Sequence, residues 1–361
     1  MRGSTVKVGT RGSPLALAQT HLVIKRLQEA RPKLHFVAVP IKTSGDRITS
    51  AAELRKAGKG LFVKEIERAL LSRKISMAVH SMKDMPTELP EGLAFGAVLE
   101  RGDASDLFIG RGATPIEKLP PGSQIGTSSL RRQAILKSIF RYLVFVEMKG
   151  NLDTRLEKLR APRSNLAGIV VAAAGVHRLY ANNGIPAQTL PRDRVVPAAG
   201  QGALCVEIRA TDEEMREILQ PLHHPVTASC VEAEREVLRR LEGGCQVPLG
   251  VHAEPSDDGL FKLTACLATP DGSRLIRESQ TGSLEDPRSV AEALETILVT
   301  RGAREILATL RPRSSGVRPH RNGTPRSRKG GGAKARLRGR SRRPGAAKAR
   351  RPSRSRSRSR R

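Results

Sequence analysis

The sequence predicts an α/β protein: two similar α/β domains hinged around a cleft, then a small α+β domain and a basic tail. Three observations predict it. From Val6 to Val79, short apolar runs alternate with amphipathic stretches in the order βαβαβ, which points to a parallel sheet covered by helices on both faces. A second series of the same kind starts near Asp106, and a Gly-rich crossing at 197–202 leads from it into a strand, 204–208, expected to rejoin the first sheet. Beyond Pro221 the pattern changes to a long helix, an antiparallel pair and a last helix. The expected domains are 1–102 with 197–220, 103–196, 221–310, and the tail 311–361.

Residues 6–10 read as the first strand and Arg11-Gly12-Ser13 as a turn. Ser13 can cap the next helix, with Pro14 at its first position. Leu15, Ala18 and Leu22 give that helix an apolar stripe, and Arg31-Pro32 ends it. Residues 36–41 form the second strand. Lys59-Gly60-Leu61 opens a helix with Phe62, Ile66, Ala69 and Leu70 on one face, and 77–79 is the third strand. In the second series 125–127 ends a strand, 128–132 starts a helix, 143–148 is a strand, 152–160 a helix and 169–172 a strand. In the third region Val226, Cys230, Ala233, Val237 and Leu241 line one face of a helix that Gly243-Gly244 closes. Residues 261–267 and 273–278 pair about Pro270-Asp271-Gly272, and a last helix runs over about 290–310.

A net charge of +29 looks like a nucleic-acid binder until the charge is located. Residues 311–361 carry 21 of the 64 Lys and Arg and no acid, leaving 43 basic against 35 acidic residues in the first 310. The tail is Gly, Ser, Pro and Arg without apolar periodicity, a composition that cannot bury enough surface to order itself. The body is an ordinary, moderately basic globular protein. Cys205, Cys230, Cys245 and Cys266 show no C-x-x-C spacing, so neither a disulfide framework nor a zinc site is expected. Adjacent His223 and His224 point different ways and have no acid or Cys at ligand spacing, so no metal is expected there. The start lacks an apolar signal core, and no apolar run reaches the ~18 residues of a membrane span. The expectation is a cytoplasmic, soluble monomer.

The polar residues cluster where parallel strands end. Val79-His-Ser-Met-Lys-Asp-Met-Pro86 closes a buried strand in a turn that sets Lys83 beside Asp84. Alone, that pair reads as a solvated turn or as a reactive loop. Arg11 and Ser13 follow the first strand. Thr127, Ser129, Arg131 and Arg132 head a second-domain helix. Lys149 and Arg155 flank the next turn, and Arg178 the one after. Carboxyl ends of parallel strands converge on a crevice, and helix N-termini add free N–H groups there. Several cations on one crevice imply a ligand with several anionic groups. No G-x-x-x-x-G-K-[ST] loop and no dinucleotide fingerprint occur, which favours a carboxylated small molecule over a nucleotide. Cys245, on a Gly-Gly turn after a helix C-terminus, is no activated nucleophile. It reads either as an idle thiol or as a point of stable covalent attachment.

Seven motifs then stand in order: Gly9-Thr-Arg-Gly-Ser-Pro-Leu-Ala-Leu-Ala-Gln19, Gly60-Leu-Phe-Val-Lys-Glu65, Ala78-Val-His-Ser-Met-Lys-Asp84, Gly126-Thr-Ser-Ser-Leu-Arg-Arg-Gln133, Gly150-Asn-Leu-Asp-Thr-Arg155, Gly200-Gln-Gly202 and Leu241-Glu-Gly-Gly-Cys-Gln-Val-Pro248. With them the chain resembles the hydroxymethylbilane synthase (porphobilinogen deaminase) family from about Val6 to Leu310. The resemblance implies three domains, the first two like periplasmic binding proteins with the active site between them. It implies a transferase that joins four porphobilinogen molecules head to tail, releases ammonia, and frees hydroxymethylbilane by hydrolysis. It implies one covalent dipyrromethane cofactor per chain, on a thioether to Cys245. Asp84 matches the acid that steadies the positive charge left when ammonia departs. Lys83, Thr127, Ser129, Arg131 and Arg132 match holders of cofactor carboxylates. Arg11, Ser13, Lys149, Arg155 and Arg178 match substrate-binding positions. Lys149 stands where the family usually has Arg, which keeps the charge and loses the bidentate fork. Two other classes remain: a non-catalytic polycarboxylate binder on the same scaffold, and a protein defined by nonspecific contact of its tail with nucleic acid or an anionic surface.

Overall fold

The computed structural model describes residues 5–47, 60–112, 114–180, 185–241 and 247–310. The tail 311–361, Gly243-Gly244 and Cys245 lie outside these residues. The first lobe begins with β1 (Thr5–Arg11), α1 (Pro14–Ala30), β2 (His35–Ile41), α2 (Ser44–Arg47), α3 (Lys64–Leu71), β3 (Met77–Ser81) and β4 (Leu93–Val98). Helix α1 starts as its sequence dictates: Ser13 Oγ accepts from Ala16 N at 3.3 Å, with Pro14 in the first turn. It buries Val23 and Leu27 against Val6, Val8 and Val79 of the sheet.

The second lobe contains β5 (Asp106–Gly110), β6 (Gln124–Gly126), α4 (Leu130–Ile139), β7 (Val144–Val146), α5 (Leu152–Arg160), β8 (Leu166–Ala172), α6 (Ala173–Tyr180) and β9 (Gln188–Leu190). The chain then returns as β10 (Leu204–Arg209), which inserts between β3 and β4. The sheet orders are β2-β1-β3-β10-β4 and β7-β6-β8-β5-β9.

The first sheet corrects the expectation of an all-parallel sheet. β1 runs parallel to β2 and β3, but β10 is antiparallel to β3 and β4. The second sheet shows the same exception in β5, antiparallel to β8 and β9. In each lobe the reversed strand is the one that arrives from the other lobe. It enters by an extended crossing rather than over a helix, so nothing imposes the parallel direction of a βαβ unit.

After α7 (Glu213–Leu219), the third lobe packs α8 (Pro225–Arg240) and α9 (Pro287–Thr300) on one antiparallel sheet, β11 (Leu249–Pro255), β12 (Leu260–Ala268) and β13 (Leu275–Ser283). Phe261, fully buried, sits in a core with Val237, Val251, Leu263, Leu294 and Leu298. Truncating a buried Phe to Ala costs about 3–5 kcal/mol, a large part of a domain's stability. The expected last helix is two: α9 stops, Gly302 takes φ 95°, and α10 (Ala303–Ala308) starts in a new direction. That left-handed angle is available to Gly at no steric cost.

One carboxylate ties the third lobe to both crossings. Glu234 of α8 accepts from Arg101 at 2.7 and 3.0 Å, from Gly200 N at 2.6 Å and from Ala253 N at 2.7 Å. Burial raises its pKa, but Arg101 and the nearby His252 ring outweigh burial and hold it at about 2.

Candidate active site

Strand β3 is buried along four of its five residues and releases the chain at Ser81 into a single 3-10 turn, Met82–Asp84. Met82 is the anchor of that turn. Its side chain is buried and its N–H donates to Ala203 O at 3.1 Å. The crossing packs so tightly on the turn that a Cβ at Gly200 would lie 2.6 Å from Met82 Cγ, and Gly200 has φ 70°. With Met82 fixed, Lys83 turns inward and Asp84 outward into the cleft. Asp84 shares a pocket with Arg11, Ser13, Gln19, Phe62, His80 and Ser81. Ser81 Oγ donates to Gln19 Oε1 at 3.0 Å.

The second lobe contributes cations from the start of α4. Ser129 Oγ caps that helix by accepting from Arg132 N, and Thr127 Oγ1 accepts from Ser129 N, both at 3.3 Å. Each hydroxyl keeps its own O–H to donate. Arg131 and Arg132 follow and are almost wholly buried. Asp106, at the start of β5, holds both: 2.8 Å to Arg131 Nη1 and 2.7 Å to Arg132 Nη2. Gln201 of the crossing donates to the same carboxylate at 2.8 Å and accepts from Lys83 Nζ at 3.3 Å. Burial raises the Asp106 pKa, but the two guanidinium groups outweigh it and hold the carboxyl well below its ordinary range.

These groups converge electrostatically. Burial pushes Lys83 down to about 8, and Arg132 pushes the same way while Asp84 and Asp106 oppose. Burial and then Arg132 lower Arg155 to about 10, against Asp84. So Lys83 and Asp84 from the first lobe face Arg132 and Arg155 from the second. Cations this crowded and this dry are poorly compensated, which is the condition a ligand with several carboxylates relieves. Buried Lys149 Nζ and Arg11 Nε have no hydrogen-bond partner. The donor set fits a polycarboxylate such as a dipyrromethane.

The Lys83 shift has a measurable consequence. Between about 8 and 10.5 the unfolded chain holds a proton that the folded chain has lost, so this group's contribution to stability is full above 10.5 and is lost as pH falls to about 8. At pH 7 the charge on a buried Lys83 therefore costs the fold on the order of 3 kcal/mol. On a Cys245→Ser background, expected to lack the cofactor, Lys83→Met is expected to raise the melting temperature at pH 7 and to lose that advantage above pH 10. A fall at pH 7 would contradict this account.

Other expected residues have narrower settings. Arg11 pairs with Asp46 at 2.5 Å and lies 4.2 Å over the Phe62 ring. Arg155 Nε donates to Gly150 O at 2.9 Å, which folds its head back over the turn that starts α5. Arg178 stands apart: it donates to Gly202 O at 2.5 Å, and the charge that bears on it is Arg26 of α1. His224 Nδ1 accepts from Thr227 N at 3.2 Å to cap α8, and His223 Nδ1 accepts from Val98 N at 3.3 Å. Cys205, Cys230 and Cys266 are buried free thiols. Sequence reasoning missed Asp106 and Gln201. Asp106 reads as an ordinary charge before a strand, whereas a glutamine held between two glycines was the available signal for Gln201.

Comparisons with known proteins place the chain beside a family and its members. A family model described as the porphobilinogen deaminase dipyromethane cofactor binding domain matches residues 6–217, and one described as the porphobilinogen deaminase C-terminal domain matches 228–298. The porphobilinogen deaminase of Carboxydothermus hydrogenoformans is 44% identical over 306 residues, 85% of this chain and 97% of the relative. That of Geobacillus kaustophilus is 45% identical over 302 residues, 84% and 96%. Among solved structures, an arginine-specific periplasmic binding protein of Salmonella typhimurium has TM-score 0.37 at 14% identity, over 65% of this chain and 98% of that one.

Proposed function

From membership of the porphobilinogen deaminase family, to which this chain belongs, we infer how its residues divide the work. The chain is a transferase that condenses four porphobilinogen molecules head to tail, releases ammonia at each step, and frees hydroxymethylbilane by hydrolysis. Its cofactor is dipyrromethane, which supplies a tethered primer for the growing chain.

The residue roles are our assignment, and the convergence of cations on Asp84 carries it. Asp84 is the fixed carboxylate beside the ring nitrogen of porphobilinogen. Loss of ammonia leaves positive charge on that ring, and a pre-placed carboxylate in a dry cleft steadies it more than water does. The same group can take and return protons. Lys83, Arg131 and Arg132, with Thr127 and Ser129, hold the cofactor carboxylates. Arg11, Ser13, Lys149, Arg155 and Arg178 hold those of the substrate. Asp106 is the internal counter-charge that lets two adjacent guanidinium groups lie side by side. Cys245 is the attachment point. We divide the chain as 1–102 with 197–220, 103–196 and 221–310. A non-catalytic binder would need neither Asp84 beside Lys83 nor a loop cysteine.

Intact mass spectrometry tests the assignment. The purified protein is expected to carry two pyrrole units, and Cys245→Ser to lack them; an unchanged mass difference would refute the attachment.

Among the described residues no helix is long and apolar enough to cross a membrane. We place the enzyme in the cytoplasm, a reading supported by the three buried free thiols among the described residues, and take it as a monomer. The 51-residue tail, 311–361, has charge to contact nucleic acid or an anionic surface but no aromatic residue to stack on bases. Its deletion is expected to leave kcat within about twofold. A loss beyond tenfold, measured as porphobilinogen consumed, would give the tail a part in turnover.

A further inference from the structure

Beneath the Asp84 pocket lies a second titratable cluster that the roles above leave unused. His80 of β3 lines that pocket, and its Nε2 stands 3.0 Å from Glu207 Oε2 on β10. The register explains the pairing. Cys205 lies opposite His80 and Glu207 opposite Ala78, so these alternate residues share one face of the sheet. Glu67, a buried residue of α3, bears electrostatically on both Glu207 and His80. His80, Glu207 and Glu67 are 6%, 0% and 7% exposed. Glu67 Oε1 and Glu207 Oε1 are buried without a hydrogen-bond partner. Two buried carboxylates with bare oxygens, one of them on an imidazole and each under the other's charge, form an arrangement that a shared proton relieves.

The surroundings of Glu67 favour its protonated form. Burial raises the Glu67 pKa and the charge of Glu207 raises it further, while His80 and Lys64 oppose. Arg235 of α8, Glu207 and Asp84 all bear on Cys205, the residue facing His80 across the strands. Arg11 and Asp84 border the pocket above.

We propose that Glu67, His80 and Glu207 form a proton store at the floor of the Asp84 pocket, which gives a proton to the departing amine and is refilled by the proton released at the condensation that follows. The step balances. The C–N bond of the aminomethyl group breaks, and ammonia leaves with the bonding pair. A C–C bond forms, and the ring carbon that makes it gives up its proton. That proton passes from Asp84 by way of His80 into the cluster and replaces the one the store gave to the aminomethyl nitrogen so that it could leave as ammonia, with no net oxidation or reduction. The store rests on Asp84 as the reacting carboxylate. His80 acts through Asp84 and is a positioning residue.

Infrared spectra and kinetics of the cofactor-loaded enzyme test the proposal together. At neutral pH the resting enzyme is expected to show a protonated-carboxyl band that is absent from Glu67→Gln and that changes when porphobilinogen is added. Glu67→Gln is expected to lower kcat about 3–10-fold, to leave KM within about twofold and to move the acid limb of the pH–rate profile. His80→Gln is expected to lower kcat about 100-fold, the low end of a general acid–base contribution. Should His80→Gln fail to fold, the isosteric Glu67→Gln decides alone. A Glu67→Gln enzyme with the same band, kcat and profile as the parent overturns the store and leaves the His80–Glu207 pair as a tie between strands. A parent enzyme that consumes no porphobilinogen would instead sink the reading of Asp84, so the two failures are distinguishable.

Discussion

Replacement of Asp84 by asparagine is expected to lower ammonia release from porphobilinogen by about 10²–10⁴-fold with little change in melting temperature. Asp84 is exposed, at the mouth of a turn whose fold depends on buried Met82 rather than on the acid. Its loss therefore costs little packing. What it removes is a negative group that bears on both Lys83 and Arg155 at the cleft. A neutral amide keeps the shape and cannot offset charge building on a pyrrole nitrogen. Binding of porphobilinogen carboxylates, the task of the cations, should hold or tighten, so the effect falls on kcat and not on KM. Single-turnover assays of ammonia release by the cofactor-loaded variant measure it. A rate within threefold of the parent would remove the basis of the proposed chemistry.

Asp106→Asn is expected to have the largest effect on stability, about 3–5 kcal/mol, and to empty the protein of cofactor. Asp106 is completely buried, and it neutralises two guanidinium groups that are themselves buried. Asparagine fits the same space but leaves Arg131 and Arg132 facing each other without compensation. In a dry interior that repulsion and lost solvation are not screened. Urea unfolding gives the stability loss, and intact mass gives the fraction of chains carrying the two pyrrole units. A loss below about 1 kcal/mol with full cofactor loading would show that Asp106 is a bystander. As a control, the exposed turn residue Asp271 changed to Asn should leave the urea midpoint close to that of the parent.

Much of the architecture was legible because it is local. The capping Ser13-Pro14 and the apolar stripe of α8 each follow from a few neighbouring residues. The strands that escaped notice broke the local rules for tertiary reasons. β4 carries Gly96, which weakens a strand signal, yet a Cβ there would lie 2.7 Å from Leu219 and 2.9 Å from Ile208. β11 contains Gly250, where a Cβ would lie 2.4 Å from Val196 O. In both places the glycine admits a neighbour that is remote in sequence. The site divides in the same way. Lys83-Asp84 and Arg131-Arg132 announce themselves as adjacent charges. The Asp106 that restrains the arginines lies 25 residues before the nearer of them, and the Gln201 that reaches it lies 95 residues after it.

The order of residues alone pointed to the chemistry: a carboxylate beside a lysine after a buried strand, cations at strand ends, and a cysteine that follows two glycines. Those are properties of short segments, where side-chain type and spacing suffice. Only the folded chain decided which cations are already neutralised and which still lack a partner. It also decided that two strands run against their sheets and that Glu67, His80 and Glu207 meet. Such facts depend on burial and on contacts between distant segments, and the energy of a charge depends on how much water and which opposite charge its neighbours leave it.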